Sequence, residues 1–247
     1  MNRAMSRLIY IFAIAAAVTA ARPSWSAVIV GYDPAYHKTS GIGGGVQDWN
    51  AVSAQGRLTM ISPTWGLTSA HFPASGPQTF AGTSGSRQIV STVQIVGTDL
   101  LMQQLDAPVS TWVGLADARP GNPYLLYARE RVGRHALTFE SSGLGYFRFA
   151  GAQDEVWLES GDSGGPTLLP YAGKLWLFGT HYAVSGSGQI GDYSIDASVW
   201  DVRDLISMVS GYDVQLIPEP AGCWMMVVAA AVVASRRRGR RAGGSAS

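Results

Sequence analysis

The chain of 247 residues has almost no cysteine, since its single thiol, Cys223, lies close to the C-terminal end. A disulfide within the chain needs two cysteines, so the stability of the protein must come from packing. Metal sites built from cysteine clusters are excluded for the same reason. No His-Glu-x-x-His string offers a zinc site either. We therefore expect no metal and no other cofactor.

Charged residues are also scarce, at 14% of the chain, and most positive charge lies at the two ends. Three of the 18 basic residues fall within residues 1–26 and five fall after residue 234, which leaves 10. Of the 17 acidic residues only Glu219 falls in these ends, which leaves 16. Residues 27–217 therefore carry a net charge of about −6 and no basic stripe, so nucleic acid is not an expected partner.

The N-terminal end has the pattern of a secretory signal peptide. Two arginines precede an apolar run over residues 8–18, and small residues stand at Ser24 and Ser26. The run is too short for a membrane-spanning helix. We expect residues 1–26 to direct export and to be removed by a cut after Ser26.

The C-terminal end joins three parts in a fixed order. Pro218-Glu219-Pro220 is followed by 14 uncharged residues, 221–234, and then by five arginines within residues 236–241. A helix of that length spans only about 21 Å, against a membrane core of about 30 Å. The order resembles the PEP-CTERM sorting signal of exported bacterial proteins. That resemblance implies that residues 218–241 hold the body at the inner membrane, through 221–234, until a sorting enzyme cuts near the tripeptide. The protein would then reside in the cell envelope or outside the cell; a plain C-terminal anchor is the alternative.

Residues 27–217 have the pattern of an all-β domain with one helix. Short β-prone runs alternate with turns of Gly, Pro, Ser and Asn, which is typical of a β-sandwich or barrel. The helix is expected near the end, because Val202, Leu205, Ile206 and Val209 repeat at helical spacing. The glycine-rich stretch 41–45 is expected to be a surface loop. The expected strands are 57–61, 88–96, 124–129, 135–140, 146–150 and 174–182, with 118–123 as the join between two halves.

Three short motifs contain the candidate catalytic residues. In chain order they are Thr68-Ser69-Ala70-His71, Asp99-Leu100-Leu101 and Gly161-Asp162-Ser163-Gly164-Gly165-Pro166. A serine hydroxyl attacks only when a neighbouring base takes its proton, and histidine titrates near neutral pH. A carboxylate must then orient the histidine ring. We expect His71 to be the base, Asp99 the orienting carboxylate and Ser163 the nucleophile. The backbone amides of Gly161 and Ser163 would form the oxyanion hole.

These strings and their order resemble the trypsin/chymotrypsin family of serine proteases, whose motifs are Thr-Ala-Ala-His, Asp-x-x-Leu and Gly-Asp-Ser-Gly-Gly-Pro. The resemblance covers about residues 57–209. It implies two packed six-stranded antiparallel β-barrels followed by a C-terminal helix. The first barrel would supply His71 and Asp99, and the second would supply Ser163. The chain departs from the family at Phe72, where a half-cystine is usual, and in short spacings between the triad residues, which imply trimmed surface loops.

The resemblance also implies a substrate pocket lined by Trp157, Leu158, His181, Tyr182 and Val184. Trp157 stands where trypsin-type enzymes carry aspartate, so an apolar residue, rather than a basic one, is expected before the cleaved bond. The string Gly179-Thr180-His181-Tyr182 is similar to one in glutamate-specific members, whose histidine binds the substrate carboxylate. A histidine buried in the core is the interpretation that we favour.

Two further points concern residues outside the triad. In the family, the aspartate before the serine often pairs with a freed amino terminus, and Ile29-Val30-Gly31 resembles that terminus. No Arg or Lys precedes Ile29, so we expect a plain first strand there. His37 and His135 have no supporting pattern and are expected at the surface.

The sequence thus predicts an exported serine endopeptidase that acts on proteins or peptides through an acyl-enzyme. The alternative is a binding or adhesion module at the cell surface that keeps the protease fold with an idle triad. A third possibility is an enzyme limited to processing its own chain.

Overall fold

A computed structural model of the chain describes residues 27–42 and 47–217. The predicted signal peptide, 1–26, and the predicted sorting signal, 218–241, lie outside the described residues, as does most of the glycine-rich stretch 41–45. The described residues up to Gln215 form one compact unit, and a second unit begins at Leu216. Within the described ranges, no helix has the length and apolar character needed to cross a membrane.

The described residues are mostly β-strand, with one α-helix near the end. Two short 3₁₀ segments, Gln47–Ala51 and Trp200–Val202, and helix α1 (Arg203–Ser210) accompany the strands. All six predicted strands overlap strands of the structure, and the all-β class with a C-terminal helix is confirmed. The strands are β1 (Val28–Ile29), β2 (Thr59–Met60), β3 (Trp65–Ser69), β4 (Ile89–Gln94), β5 (Leu100–Leu105), β6 (Gly114–Leu115), β7 (Pro123–Ala128), β8 (Arg131–Ala136), β9 (Phe139–Ser141), β10 (Leu144–Arg148), β11 (Val156–Trp157), β12 (Pro166–Tyr171), β13 (Lys174–Ser185) and β14 (Tyr193–Ser198).

Two sheets are built from successive parts of the chain. The first has the order β2-β3-β5-β4. The second has the order β8-β7-β12-β13-β14-β10-β9, and β6 lies parallel to β13 beside it. Strands β1 and β11 form a separate antiparallel pair. The chain leaves the first sheet at Leu105 and joins the second at Gly114, shortly before the predicted join at 118–123.

The buried faces of both sheets contribute to one hydrophobic core. Leu67 and Met102 of the first sheet belong to the same cluster as Leu168 and Leu177 of the second, and all four side chains are inaccessible to solvent. Burying one such side chain contributes about 1.5–3 kcal/mol. Strand β4 instead alternates between half-buried and exposed residues, as expected of a strand with one face toward water.

Helix α1 forms where the apolar spacing predicts it. Ile206 is fully buried, whereas Asp204 on the opposite face is exposed. The helix ends at Gly211, whose φ of 61° lies in the left-handed region that glycine adopts without strain.

The expectation that His37 and His135 lie at the surface is wrong. Only 1% of His37 and 3% of His135 is exposed. The backbone amide of Asp33 donates to His37 Nδ1 at 2.8 Å, and His37 Nε2 lies 3.2 Å from Asp154 Oδ1. These hydrogen bonds replace those that the ring would make with water. His135 lies 3.4 Å from the carboxylate of Glu155, and burial lowers its pKa. Each of the two buried histidines thus lies beside a carboxylate from a distant part of the chain, half-buried Asp154 for His37 and buried Glu155 for His135.

Candidate active site

The pairing of β3 with β5 brings His71 and Asp99 together. Ser69, the last residue of β3, pairs with Leu100, the first residue of β5. The amide of Ala70 then donates to the carbonyl of Asp99 at 2.6 Å, which extends the pairing past the strand ends. As a result, the two residues that follow β3 stand opposite the residue that precedes β5.

The loop between β11 and β12 carries Ser163. Two backbone hydrogen bonds tie this loop to β13: the amide of Gly164 donates to the carbonyl of His181 at 3.0 Å, and the amide of His181 donates to Gly165 at 2.8 Å. Within the loop, the amide of Gly165 donates to the carbonyl of Asp162 at 3.0 Å, which closes a tight turn around the serine. The nucleophile predicted from the sequence therefore stands on a turn anchored to the second sheet.

The three side chains of the predicted triad lie within hydrogen-bonding distance of one another. His71 Nε2 is 2.9 Å from Ser163 Oγ, and His71 Nδ1 is 2.6 Å from Asp99 Oδ2. The other carboxylate oxygen, Oδ1, accepts the backbone amide of His71 at 3.0 Å. Because a carboxylate can only accept, Nδ1 carries the proton and Nε2 is left to accept the hydroxyl proton of Ser163. This is the tautomer that a general base for the serine requires.

The amides assigned to the oxyanion hole are available to a ligand. None of the backbone hydrogen bonds found among residues 27–42 and 47–217 uses the amide of Gly161 or of Ser163. Gly161 has a φ of 99°, a conformation that residues with a side chain rarely adopt. A glycine is thus needed at 161 for the turn that leaves these two donors unused.

Asp162 lies beneath the turn, and its carboxylate is held by two amides. Oδ2 accepts the amide of Ala27 at 3.0 Å and that of Glu159 at 2.8 Å, whereas Oδ1 is buried and has no partner among the described residues. Only 3% of Asp162 is exposed, and burial raises its pKa. Ile29 pairs with Val156 in the β1–β11 ladder, as a plain first strand would.

A cleft of about 200 Å³ opens beside Ser163, between the serine loop and the end of β13. Four of the five residues predicted to line the substrate pocket lie on this cleft: Leu158, His181, Tyr182 and Val184. The fifth, Trp157, is not among the lining residues; it pairs with Val28 and packs edge-on against Phe149. Sequence reasoning missed Glu159 and Ser160, which also line the cleft and which only their position next to the nucleophile loop could have indicated.

Tyr182 separates this cleft from a larger one of about 470 Å³, which is bordered by Asp99 and Leu144. The ring of Tyr182 stands edge-on to the ring of His71, with 5.9 Å between centroids. Its side chain therefore contacts His71 and both clefts, and 39% of the residue remains exposed.

Both ring nitrogens of His181 are engaged by the protein. Nδ1 lies 2.9 Å from Asp196 Oδ1, and Nε2 lies 3.0 Å from the carbonyl of Tyr127. Both partners are acceptors, so the ring donates from both nitrogens. Burial acts to lower the pKa of His181, but the carboxylate of Asp196 outweighs it and raises the pKa above its ordinary value. Neither nitrogen is left to bind a substrate carboxylate.

Among the described residues, no group of three or more His, Cys, Asp or Glu side chains is arranged to hold a metal ion. The arrangement of His71, Asp99 and Ser163 suits proton transfer and nucleophilic attack. It can remove a proton from the Ser163 hydroxyl, stabilise the imidazolium that results, and offer two amides to a developing negative charge.

No protein-family model matches the chain, and no curated protein matches it. Among solved structures, the chain is similar to the passenger domain of plasmid-encoded toxin, an autotransporter enterotoxin from enteroaggregative Escherichia coli. The TM-score is 0.50, the sequence identity is 15%, and the match covers 66% of this chain. It covers 22% of that passenger domain, so the chain spans about a fifth of its length. At this identity the likeness concerns the β-rich fold alone.

Proposed function

We propose that the chain is a serine endopeptidase, in which Ser163 attacks the carbonyl carbon of a peptide bond and forms an acyl-enzyme. The observation that carries the proposal is the continuous chain of hydrogen bonds from Ser163 Oγ through His71 to Asp99, with distances of 2.9 Å and 2.6 Å. His71 takes the hydroxyl proton during attack and returns it to the leaving amine. Water then hydrolyses the ester by the same route, which regenerates Ser163.

We further propose that the protein is a divergent member of the trypsin/chymotrypsin family and that each sheet belongs to one of its two barrels. Two observations support this. His71 and Asp99 flank strands of the first sheet, and Ser163 stands on a loop that is tied to the second. The motifs, their order and this division of the triad between two sheets all agree with that family.

An apolar residue before the cleaved bond fits the cleft beside Ser163. Leu158 and Val184 contribute apolar surface to it, and His181 has no nitrogen to spare for an acidic substrate. Glu159 also lines the cleft, so basic residues belong in any substrate panel. Efficient cleavage after arginine would show that this pocket assignment is wrong.

Labelling with a fluorescent organophosphonate tests the proposal directly, because the probe reacts only with an activated serine. We expect the probe to label the wild type and not Ser163→Ala. The circular dichroism spectra of the two proteins should be the same, which shows that both are folded. Ser110→Ala, at an exposed serine, is the matched control and should label like the wild type. A folded wild type that is not labelled would favour the binding module with an idle triad.

We propose that the enzyme acts after export, with residues 1–26 removed and residues 218–241 anchoring it until a sorting enzyme cuts them. N-terminal sequencing of the mature wild type and of Ser163→Ala tests this assignment. The same start at Ala27 in both proteins indicates removal by a signal peptidase, and a start that changes in Ser163→Ala indicates self-processing instead.

A further inference from the structure

A third cleft, of about 300 Å³, borders the serine turn and shares no lining residue with the cleft of Leu158 and Tyr182. The described residues that line it bring two positive charges and no negative charge. They are Gln55, Arg57, Ala74, Ser75, Gln78 and Arg129. We call this site the arginine cleft.

Both arginines lie against the catalytic loops. The guanidinium of Arg129 fills the space beside the Cα of Gly161 in which a Cβ would stand, so it borders an amide of the oxyanion hole. The guanidinium carbon of Arg57 lies 3.8 Å from the ring centroid of Phe72, the residue after His71. The arginine cleft is therefore adjacent both to the candidate base, His71, and to the candidate oxyanion hole at Gly161.

The two guanidinium groups are close enough to repel each other. Burial and the positive charge of Arg129 lower the pKa of Arg57, and the carboxylate of Asp162 only partly opposes them. An anion bound in the cleft would reduce this repulsion. A carboxylate is a suitable anion, because a guanidinium can bind it through two parallel hydrogen bonds.

Gln78 adds a second group suited to a peptide. Its amide nitrogen donates to the carbonyls of Ser75 and Gly76 at 2.9 Å and 3.0 Å. Its oxygen, Oε1, is buried and has no partner among the described residues. A substrate N–H is the donor that this oxygen lacks.

We propose that the arginine cleft binds an acidic side chain, aspartate or glutamate, on the leaving-group side of the scissile bond. The inference rests on the proposed endopeptidase function, which assigns the cleft of Leu158 and Tyr182 to the residue before the bond. An extended peptide that crosses Ser163 from that cleft then passes His71 and Gly161 and meets Arg57. The enzyme thus selects its substrates on both sides of the bond, by apolar contact before it and by charge after it.

The kinetic test uses peptides of one sequence that carry leucine before the cleaved bond and Glu, Gln or Lys at each of the first three positions after it. All end in an amide, so the side chain is the only carboxylate on that side. We expect kcat/KM for the best Glu peptide to exceed that of its Gln counterpart by about tenfold at low ionic strength and by less in high salt. Lys should be the poorest residue.

The variant that tests the role of charge is Arg57→Gln, in which the Glu-to-Gln ratio should fall close to one. Arg57→Lys keeps the charge but not the paired hydrogen bonds, so it should retain part of the preference. Arg134→Gln, at an exposed arginine of β8, is the control for net charge and should retain all of it. No preference for Glu, or a preference that survives Arg57→Gln, overturns the inference.

A binding measurement separates this inference from the proposed catalysis. Fluorescence anisotropy of the labelled Glu and Gln peptides with Ser163→Ala, which cannot cleave them, should give a Kd about tenfold lower for Glu, and the added Arg57→Gln change should remove the difference. Equal Kd values would refute the acidic preference whether or not the wild type is an enzyme. A clear Glu preference in a wild type that the organophosphonate does not label would instead refute only the endopeptidase.

Discussion

A cut after Ser26, as proposed above, should change how many hydrogen bonds the buried carboxylate of Asp162 accepts. While Ala27 is joined to Ser26, its nitrogen offers a single N–H, which Asp162 Oδ2 accepts at 3.0 Å. The other oxygen, Oδ1, is buried without a partner among the described residues. A cut after Ser26 would turn the amide into an ammonium group with three donors and a positive charge. We therefore expect the protein that starts at Ala27 to be more stable than one with residues before it.

Two contributions set the size of this difference. A hydrogen bond to a charged group stabilises by about 1.5–3 kcal/mol. Ala27 also has a φ of 47°, in the left-handed region, which costs a residue with a side chain roughly 1–2 kcal/mol while a peptide bond precedes it. Together they amount to about 2.5–5 kcal/mol, or roughly 10 °C in the Tm of a domain of this size.

The difference should depend on pH in a defined direction. The α-ammonium has a pKa of about 7.7 when unpaired, and its pairing with Asp162 raises that value in the folded state. Its contribution is therefore fully present below pH about 7.7 and is lost as the pH rises through the folded pKa. In the protein with extra residues, burial raises the pKa of Asp162 above 3.8, so the stability of that protein falls as the pH rises past this value. The gap should be widest near neutral pH.

The assay compares two purified proteins, one that begins at Ala27 and one that begins two residues earlier, by thermal unfolding and by kcat/KM between pH 5 and 9. Asp162→Asn in both proteins is the control, because it removes the charge that the ammonium group binds. Equal Tm values at neutral pH would refute the reasoning, and so would a gap of the same size in the Asp162→Asn pair.

Three further substitutions test the site. Asp99→Asn should lower kcat about 10⁴-fold on a peptide substrate with little change in KM, because an amide leaves the ring of His71 in the wrong tautomer. Asp196→Asn should destabilise the protein by about 3–5 kcal/mol in urea unfolding, since it leaves buried His181 without its carboxylate. That loss should be full below pH 6.5 and should shrink as the pH rises through the raised pKa of His181; a loss that is independent of pH would contradict this pairing. Gly161→Ala should lower kcat at least about 10²-fold with an unchanged circular dichroism spectrum, because a φ of 99° is strained for a residue with a side chain and the methyl group would displace the guanidinium of Arg129. Normal activity would remove Gly161 from the oxyanion hole.

The residues of the candidate triad were easier to propose from the sequence than the sheets were, because the signals for them are local. A short string such as Thr68-Ser69-Ala70-His71 identifies its residue types without knowledge of the fold. Strand β3, just before that string, was missed because it contains Gly66, which weakens a strand pattern. In the structure, that glycine makes room for Leu58 of the core, whose Cδ1 would lie 2.8 Å from an added Cβ.

Strand β14 was missed for a different reason. It contains Asp196, a residue that is depleted in strands and almost never fully buried unless it is paired. Its partner, His181, lies on β13, 15 positions earlier in the chain. The strand preferences of single residues cannot reveal a charge pair that forms only when two strands lie side by side.

The sequence does not indicate which side chains face the cleft beside Ser163, because spacing along a chain does not determine the direction of a side chain. Leu158 and Trp157 are neighbours, yet only Leu158 lines the cleft beside Ser163. The pairing of β11 with β1 holds Trp157 against Phe149. Since β1 is a strand of two residues far away in sequence, nothing near the motif could have indicated this.

The turn that carries Ser163 is held by buried charges rather than by covalent links. Asp162 binds two amides below it, and the backbone of His181 binds Gly164 and Gly165 beside it, while the ring of His181 is held by Asp196. Because the chain has a single cysteine, these contacts rather than an internal disulfide hold Ser163 opposite His71, which follows a strand of the other sheet. Because the contacts of Asp162 and of the His181 ring involve buried ionisable groups, the position of the serine depends on protonation, whereas the apolar core that joins the two sheets does not.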